Sequence, residues 1–392
     1  MKSIQDLQNL VGKKVLLRLD LNVPLKKNVI KDETRINKIL PILNFLLNKK
    51  AKIIIISHVG RPGGMINPEL SMKPILKNLE TKINEKINLL TDDIRKIKDK
   101  DLFKNLNQNI IILENIRFYS EEENNDLNFA EKLASFGDIY VNDAFSCSHR
   151  AHASVTNITK FLPSYGGLQL ISEVKALQKI TTDIKKPITC IIGGSKISTK
   201  IGIIENLIPK FDNIIFVGGM ANNILSYQKF SIGKSIYEKN CDEIIAKIFD
   251  NSKKNSCSII YPEDVIIGEE FEGKPIVKDL NEISDNDMIL DIGPKTIKKI
   301  DRLINSSKTI LWNGPAGYFE NPNFANGSYE IAKSIVKNFK SNSIYSVAGG
   351  GDTIAVINKI NAINDFNFVS TAGGAFLEYL EGKILPGISA LS

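Results

Sequence analysis

Arginines, a histidine and glycines follow the apolar runs of this chain in a pattern suited to holding anions. Val15 to Leu19 leads into Asp20 and Asn22, Ile53 to Ile56 into Ser57-His58-Val59-Gly60-Arg61, and Ile110 to Leu113 into Glu114-Asn115-Ile116-Arg117. Ile139 to Val141 leads into Asn142-Asp143 and then His149-Arg150-Ala151-His152. A guanidinium offers phosphate a fixed fork of donors, so arginines on successive strand ends are the expected site of a small phosphorylated anion.

The C-terminal half places glycines where the N-terminal half places cations. Its runs end in Gly193-Gly194-Ser195-Lys196, Gly218-Gly219, Gly293-Pro294-Lys295, Asn313-Gly314-Pro315-Ala316-Gly317, Gly349-Gly350-Gly351-Asp352-Thr353 and Thr371-Ala372-Gly373-Gly374. Glycine at the carboxyl end of a strand lets backbone N–H groups approach an anion, and the following helix turns its positive end to the same spot. Tight turns alone do not account for six such loops, here expected on one sheet edge. The two halves therefore predict two anionic ligands, one for each.

Individual residues sharpen that expectation. Lys196 and Lys200 lie before and within the first turn of a helix running through Ile203, Ile204 and Leu207, where a cation opposes the dipole and a bound anion would remove the conflict. Asp352 opens a helix and reads either as a plain cap or as a magnesium ligand. His149 and His152 have metal-pair spacing, but Arg150 between them repels a cation and no cysteine or third histidine lies nearby, which favours a packed or loop-stabilising His152. Neither a Walker loop nor the protein-kinase G-x-G-x-x-G occurs.

Positioning these residues requires alternating strands and helices, hence βαβ units with parallel sheets in an α/β fold. The strands of the second half are expected at Ile188 to Ile192, Ile214 to Val217, Met288 to Ile292, Thr309 to Trp312, Ser343 to Val347 and Phe366 to Val369, apolar enough to be covered on both faces. Ile171, Val174, Leu177, Ile180 and Ile184 recur at helical spacing up to Pro187 and predict a helix joining two domains. Ile36, Ile39, Leu40 and Leu43 also have the helical period, with Pro41 among them to kink or restart the helix. A helix from about Asp126 to Phe136 has Gly137 placed for a C-cap.

A chain of 392 residues, 43% hydrophobic and 24% charged, supports two globular domains with substantial cores. Its net charge of +7 comes from lysines spread along the length without a dense basic block, which argues against nucleic acid or anionic membrane as a partner. The four cysteines, Cys147, Cys190, Cys241 and Cys257, are far apart and suit a reducing compartment rather than a disulfide framework or zinc site. No run approaches the roughly 20 apolar residues of a membrane span, and the first residues match neither a signal peptide nor an anchor.

The motifs together resemble the phosphoglycerate kinase family from end to end. The resemblance rests on Arg18-Leu-Asp-Leu-Asn-Val-Pro24, Ser57-His-Val-Gly-Arg-Pro62, Leu113-Glu-Asn-Ile-Arg-Phe118, Val141-Asn-Asp-Ala-Phe145 and His149-Arg-Ala-His-Ala-Ser154 in the first half. In the second half it rests on Gly193-Gly-Ser-Lys-Ile-Ser-Thr-Lys200, Asp291-Ile-Gly-Pro-Lys-Thr296, Trp312-Asn-Gly-Pro-Ala-Gly-Tyr-Phe-Glu320, Gly349-Gly-Gly-Asp-Thr353 and Leu385-Pro-Gly-Ile388.

The resemblance implies a bilobal, monomeric, cytoplasmic glycolytic enzyme with two Rossmann-like domains joined by an interdomain helix. Residues 1–170 would bind 3-phosphoglycerate, residues 171–377 the nucleotide with the joining helix at about 171–186, and residues 378–392 would return to the first domain. The implied reaction is reversible phosphoryl transfer from 1,3-bisphosphoglycerate to MgADP, giving 3-phosphoglycerate and MgATP. Asp20 and Asn22 would hold the glycerate, His58, Arg61, Arg117 and Arg150 the 3-phosphate, and Arg35 would face the transferring group. Lys196 and Lys200 would contact phosphates and share in catalysis with Arg35. Glu320 would hold the ribose, Gly218, Gly219 and Gly293 the adenosine, Asn313 the nucleotide, Gly350, Gly351, Asp352 and Thr353 the phosphate chain, and Asp352 the Mg²⁺. Ala372, Asn222-Asn223 and Ser146 depart from the family pattern.

Phosphoryl transfer to or from a carboxylate needs alignment and charge neutralisation rather than a nucleophilic side chain or a general base. Separating the ligands on two lobes would delay transfer until the lobes close and exclude water, giving direct in-line transfer. The competing reading is a catalytically inactive nucleotide-binding protein on the same scaffold. Arg35, Lys200, Glu320 and Asp352 are all present, which weighs against it.

Overall fold

Isoleucine-rich runs with no polar face cannot sit at a solvent-exposed sheet surface, so they become central strands of parallel sheets covered by helices. The structure, a computed structural model, describes residues 1–26, 28–104, 108–341 and 343–392. The chain divides into two compact units, Met1–Val174 with Ile384–Ser392, and Lys175–Lys383.

The first unit contains β1 (Lys14–Arg18), the short antiparallel hairpin β2 (Leu25–Lys26) and β3 (Val29–Ile30), then β4 (Lys52–Ile56), β5 (Ile87–Leu90), β6 (Ile110–Leu113), β7 (Ile139–Asn142) and β8 (Ser164–Gly166). Its sheet runs β5-β6-β4-β1-β7-β8, with every pair parallel. Strand order reverses around β1, so the crevice at its carboxyl end is where a ligand site is expected. Leu16, Ile54, Ile111 and Val141 at the centre of the sheet are fully buried.

In the second unit the strands are β9 (Ile188–Ile192), β10 (Asn213–Phe216), β11 (Ser258–Ile260), β12 (Asp264–Gly268), β13 (Ile276–Asp279), β14 (Met288–Ile292), β15 (Thr309–Asn313), β16 (Tyr345–Gly349) and β17 (Phe368–Ser370). The parallel sheet runs β11-β10-β9-β15-β16-β17, which is the doubly wound nucleotide-binding order with its reversal between β9 and β15. β12, β13 and β14 form a separate antiparallel sheet. Only five of the six glycine loops therefore leave the parallel sheet. The sixth, at Gly293, follows β14, because apolar content alone does not say which sheet a strand joins.

Three helices differ from the sequence expectation. Thr34–Asn48 continues unbroken through Pro41. Ile36, Ile39, Ile42, Leu43 and Leu46 bury its apolar stripe, while Pro41 and Asn37, whose carbonyl loses its partner, face solvent. The helix expected from Asp126 is Leu127–Ala134, capped by the Asp126 carboxylate on the Phe129 N–H, and its C-cap is Ser135. Gly137 serves close packing instead, since a Cβ there would lie 2.7 Å from Leu16 Cγ. The helix expected near residues 171–186 spans Leu168–Thr181, and the boundary between the units falls within it.

The last residues are built into the first unit. Leu385 is 2% exposed, and the Gly387 N–H donates to the Ser148 carbonyl at 2.8 Å. A side chain at Gly387 would strike Val155 and Ser148.

Candidate active site

In the first unit the polar residues sit on the loops after β1, β4, β6 and β7, neighbours in the sheet, so their side chains gather at one edge. Asp20 accepts both contacts of the Arg35 Nη1 at 2.7 and 2.8 Å and the Ser146 hydroxyl at 2.5 Å. Asn22 Oδ1 accepts the Gly60 N–H at 2.9 Å, and the Gly60 carbonyl accepts Arg117 Nη1 at 3.1 Å. Three separate loops are thereby tied together before any ligand arrives. Arg61 is exposed with no side-chain hydrogen bond or ion pair among the described residues, and Arg150 is exposed with its Nε donating only to His149 Nε2 at 3.1 Å. Arg117 is half-buried and pairs with Glu123 at 3.3 Å.

His58 is buried and its pKa lies well below the ordinary histidine value, first because of burial and then because of Arg18, Arg117 and Arg35. His152 is pushed down to about 4 by burial, Arg117 and Arg18. Both rings are neutral at pH 7, and His152 is buried, as a packed histidine should be. Among the described residues no group of three or more His, Cys, Asp or Glu could hold a metal ion.

Sequence reasoning missed the residues beneath this edge. Arg18, at the end of β1, is fully buried and donates to Ser154 Oγ at 3.0 Å and to His58 Nδ1 at 3.2 Å. Glu122, also fully buried, accepts the Ser154 N–H and hydroxyl at 2.8 and 2.6 Å. The available signal was a cation closing a strand whose other inner positions are all apolar.

In the second unit the reversal point between β9 and β15 is crowded. Gly193 packs against the Pro315 carbonyl, and Gly314, at φ +112°, lies where a Cβ would come within 2.5 Å of Gly193. Only glycine fits both positions. Lys200, at the N-terminus of the helix Ile201–Leu207, reaches back over this point and donates to the Gly193 carbonyl at 2.6 Å and to Asn313 Oδ1 at 2.6 Å. Burial pulls its pKa down from 10.5 to about 8, with Cys190 and Asp352 opposing the shift. Asn313 in turn donates to the Gly349 carbonyl at 2.6 Å, and the Gly314 N–H donates to Thr353 Oγ1 at 2.7 Å. The ends of β9, β15 and β16 are thus one hydrogen-bonded assembly.

Gly350, at φ +100°, is the N-cap of the helix Gly351–Lys359, and no side chain caps it. Asp352 in its first turn is exposed and makes no hydrogen bond or ion pair among the described residues. The plain-cap reading of Asp352 is therefore not what is found. A cavity of about 250 Å³ opens beside this loop, lined by Gly194, Gly218, Gly219, the apolar wall of Ile289 and Leu290, Tyr318, Glu320 and Asp352. Glu320 is exposed at this cavity, and Lys196 is exposed on the loop after β9. Gly293 does not line the cavity. It is buried against the Asp264 carboxylate, which accepts the Lys295 and Thr296 N–H groups and so occupies that helix terminus itself. Ala372 is buried and its N–H donates to Ser370 Oγ at 3.3 Å.

The family model described as phosphoglycerate kinase matches residues 4–383. The chain is 45% identical over 395 residues to the phosphoglycerate kinase of Wolbachia sp. subsp. Brugia malayi (strain TRS), covering 100% of this chain and 99% of the relative. It superposes on the structure of phosphoglycerate kinase from Coxiella burnetii with a TM-score of 0.91 at 38% identity, covering 99% and 98% of the two chains. The crystal structure of the enzyme from Pyrococcus horikoshii OT3 matches with a TM-score of 0.82 at 27% identity, covering 100% of this chain and 98% of that one. The chain belongs to the phosphoglycerate kinase family.

Proposed function

Taking membership of the phosphoglycerate kinase family as premise, we propose that the chain transfers a phosphoryl group reversibly between 1,3-bisphosphoglycerate and MgADP, the first unit holding the glycerate and the second the nucleotide. The observation that carries this reading is the pairing of two different anion sites, a cationic edge after β1, β4, β6 and β7 and a glycine-lined edge after β9, β15 and β16. Asp20 and Asn22 hold the glycerate moiety, His58, Arg61, Arg117 and Arg150 its 3-phosphate, and Arg35 turns to the transferring group. Gly218 and Gly219 flank the adenosine, Glu320 the ribose, and Lys196, Lys200, Asn313 and Gly350 to Thr353 the phosphates. Gly293 contributes at most indirectly, through the adjoining Ile289 and Leu290 wall.

Mg²⁺ fits the donor set, because a nucleotide-bound magnesium needs one or two carboxylates besides phosphate oxygens and water, and Asp352 is an exposed carboxylate near Lys200 with no hydrogen bond or ion pair among the described residues. When bound it supplies charge neutralisation between nucleotide phosphates. The chain's own residues do the rest. Lys200 and the N–H groups opening the helix Gly351–Lys359 meet negative charge as it spreads over the phosphoryl oxygens. Arg35 leaves or shares Asp20 to meet the same charge from the glycerate side. Transfer is direct and in line, after closure excludes water, in a monomeric cytoplasmic enzyme.

The test is ATP formation from 1,3-bisphosphoglycerate and MgADP in a coupled assay, with calorimetric titration of 3-phosphoglycerate and MgADP against Arg117→Ala and Lys200→Met. Arg117→Ala should weaken 3-phosphoglycerate alone, and Lys200→Met should spare it. Loss of both ligands in each variant, or absence of ATP formation, would contradict the assignment.

A further inference from the structure

The buried layer below the cationic edge carries a function of its own. We propose that Arg18 is a positioning residue that fixes His58 in the tautomer with its proton on Nε2, so that the imidazole meets the substrate phosphate as a neutral donor. The inference rests on the assignment of His58 to the 3-phosphate made above.

Arginine has only donors, so the contact of Arg18 Nη2 with His58 Nδ1 at 3.2 Å requires a lone pair on Nδ1. The single proton of a neutral ring then belongs to Nε2, which has no hydrogen-bond partner among the described residues. A doubly protonated ring would set N–H against N–H at that distance.

Arg18 is itself held at several points. Its Nε donates to Ser154 Oγ, its Nη1 to the Leu19 carbonyl, and its Nη2 also lies 3.7 Å from Cys147 Sγ. The Ser154 hydroxyl donates a hydrogen bond to Glu122, and its carbonyl accepts the Tyr140 hydroxyl at 2.6 Å. The chain Glu122–Ser154–Arg18–His58 thus joins the helix Ser120–Glu123, the loop after β7, the end of β1 and the loop after β4 through buried contacts. Burying a guanidinium and a carboxylate costs more than burying apolar side chains of the same volume. The network therefore stabilises less than an apolar core would, and what it adds is a defined donor direction at His58.

The charged and titratable groups facing His58 are Arg18 from β1, Arg35 from the helix Thr34–Asn48, Arg117 after β6 and His152 after β7. Around Arg18 they are Cys147, Glu122, Tyr140 and Asp20. The groups facing His58 all favour its neutral ring, in the same direction as burial. A neutral donor binds phosphate equally well on either side of the ordinary histidine range, whereas an imidazolium would lose its grip as pH rises.

The test uses the full-length protein labelled with ¹⁵N at histidine. The chain has 3 histidines, so His149→Gln and His152→Gln assign the His58 signals. The expected wild-type result is an unprotonated Nδ1 and a protonated Nε2 that do not titrate between about pH 5.5 and 8, with Nε2 shifting on addition of 3-phosphoglycerate. Arg18→Met should mix the tautomers, move the His58 pKa up toward the ordinary histidine value and raise KM for 3-phosphoglycerate on the order of tenfold at pH 8. That ratio to wild type should shrink as pH falls, because the freed ring can then ionise, and the substrate's own titration cancels in the ratio. Arg18→Lys should restore a donor to Nδ1 and return the Nε2 tautomer. If Arg18→Met does not fold, the wild-type spectrum and Arg18→Lys still decide. A protonated Nδ1 or an ordinary titration in the wild type overturns the inference, as does a KM ratio independent of pH. An Nε2 signal unmoved by saturating 3-phosphoglycerate instead overturns the assignment of His58 to the substrate.

Discussion

Lys200 gives the most demanding prediction. Its ammonium is buried over the Gly193 carbonyl and Asn313 Oδ1, and its pKa falls from 10.5 to about 8. That difference corresponds to about 3 kcal/mol by which the empty site disfavours the charged form. Nucleotide phosphates supply the missing counter-charge, so the free enzyme must bind nucleotide with Lys200 protonated. The ratio kcat/KM for MgATP, measured with saturating 3-phosphoglycerate in an assay coupled to NADH oxidation, should be level below pH 8. Above it the ratio should fall about tenfold per pH unit. Plain kcat should fall only at higher pH, because bound phosphates raise the lysine pKa. Lys200→Arg stays charged throughout the accessible range. It should lose the basic limb even though its longer fork lowers the overall rate. Lys200→Met should lower kcat by roughly 10²–10³, the usual loss when a charge-stabilising donor is removed. A basic limb identical in wild type and Lys200→Arg, or a level wild-type profile to pH 9.5 or so, would refute this account of Lys200.

Arg117→Ala should raise KM for 3-phosphoglycerate about 10- to 100-fold, as expected for a lost charge-assisted contact, while kcat changes little; steady-state kinetics check it. Gly314→Ala should lower the melting temperature by several degrees, since φ +112° and the backbone of Gly193 both oppose a methyl group there, a strain of about 1–3 kcal/mol. Calorimetry measures this directly. Asp143 and Asp291 are buried carboxyls pushed up to about 7. The unfolded chain releases their protons at lower pH than the fold does, so stability should decline as pH rises from about 4 to 7. Asp143→Asn should flatten part of that slope in urea titrations at pH 5 and 7. Asp352→Asn should leave 3-phosphoglycerate binding unchanged and raise the Mg²⁺ concentration needed for half-maximal ATP formation, read from a magnesium titration of the coupled assay.

The parallel sheets were legible because Ile110–Leu113, Ile188–Ile192 and their like are apolar on both faces, which leaves a central strand as the only way to bury them. β5 escaped notice because Asn88 interrupts its apolar run, and β13 because it is mostly exposed and its sequence is half polar. Met288–Ile292 was recognised as a strand but not as antiparallel, since pairing direction depends on distant partners. At the candidate site, Arg61, Arg117 and Arg150 were readable from their places after strands, and Lys200 from its place at a helix N-terminus, where a cation opposes the dipole. Arg18 and Glu122 were not, because burying a charge is worthwhile only when Ser154 and His58 arrive from elsewhere in the sequence to satisfy it. The Gly293-Pro294-Lys295 loop illustrates the opposite limit: a glycine before a helix suggests an anion site, yet here the Asp264 carboxylate already accepts the Lys295 and Thr296 N–H groups.

The seating of Leu385 and Gly387 against Ser148 and Val155 has a consequence for biosynthesis. The first unit is assembled from two separated stretches, Met1–Val174 and Ile384–Ser392, whereas the second is made from one uninterrupted stretch. During translation the Lys175–Lys383 stretch is complete in sequence while the earlier-made segment still lacks its last piece. A released chain truncated after Lys383 should therefore show a protease-resistant second unit beside a first unit that is still readily cut.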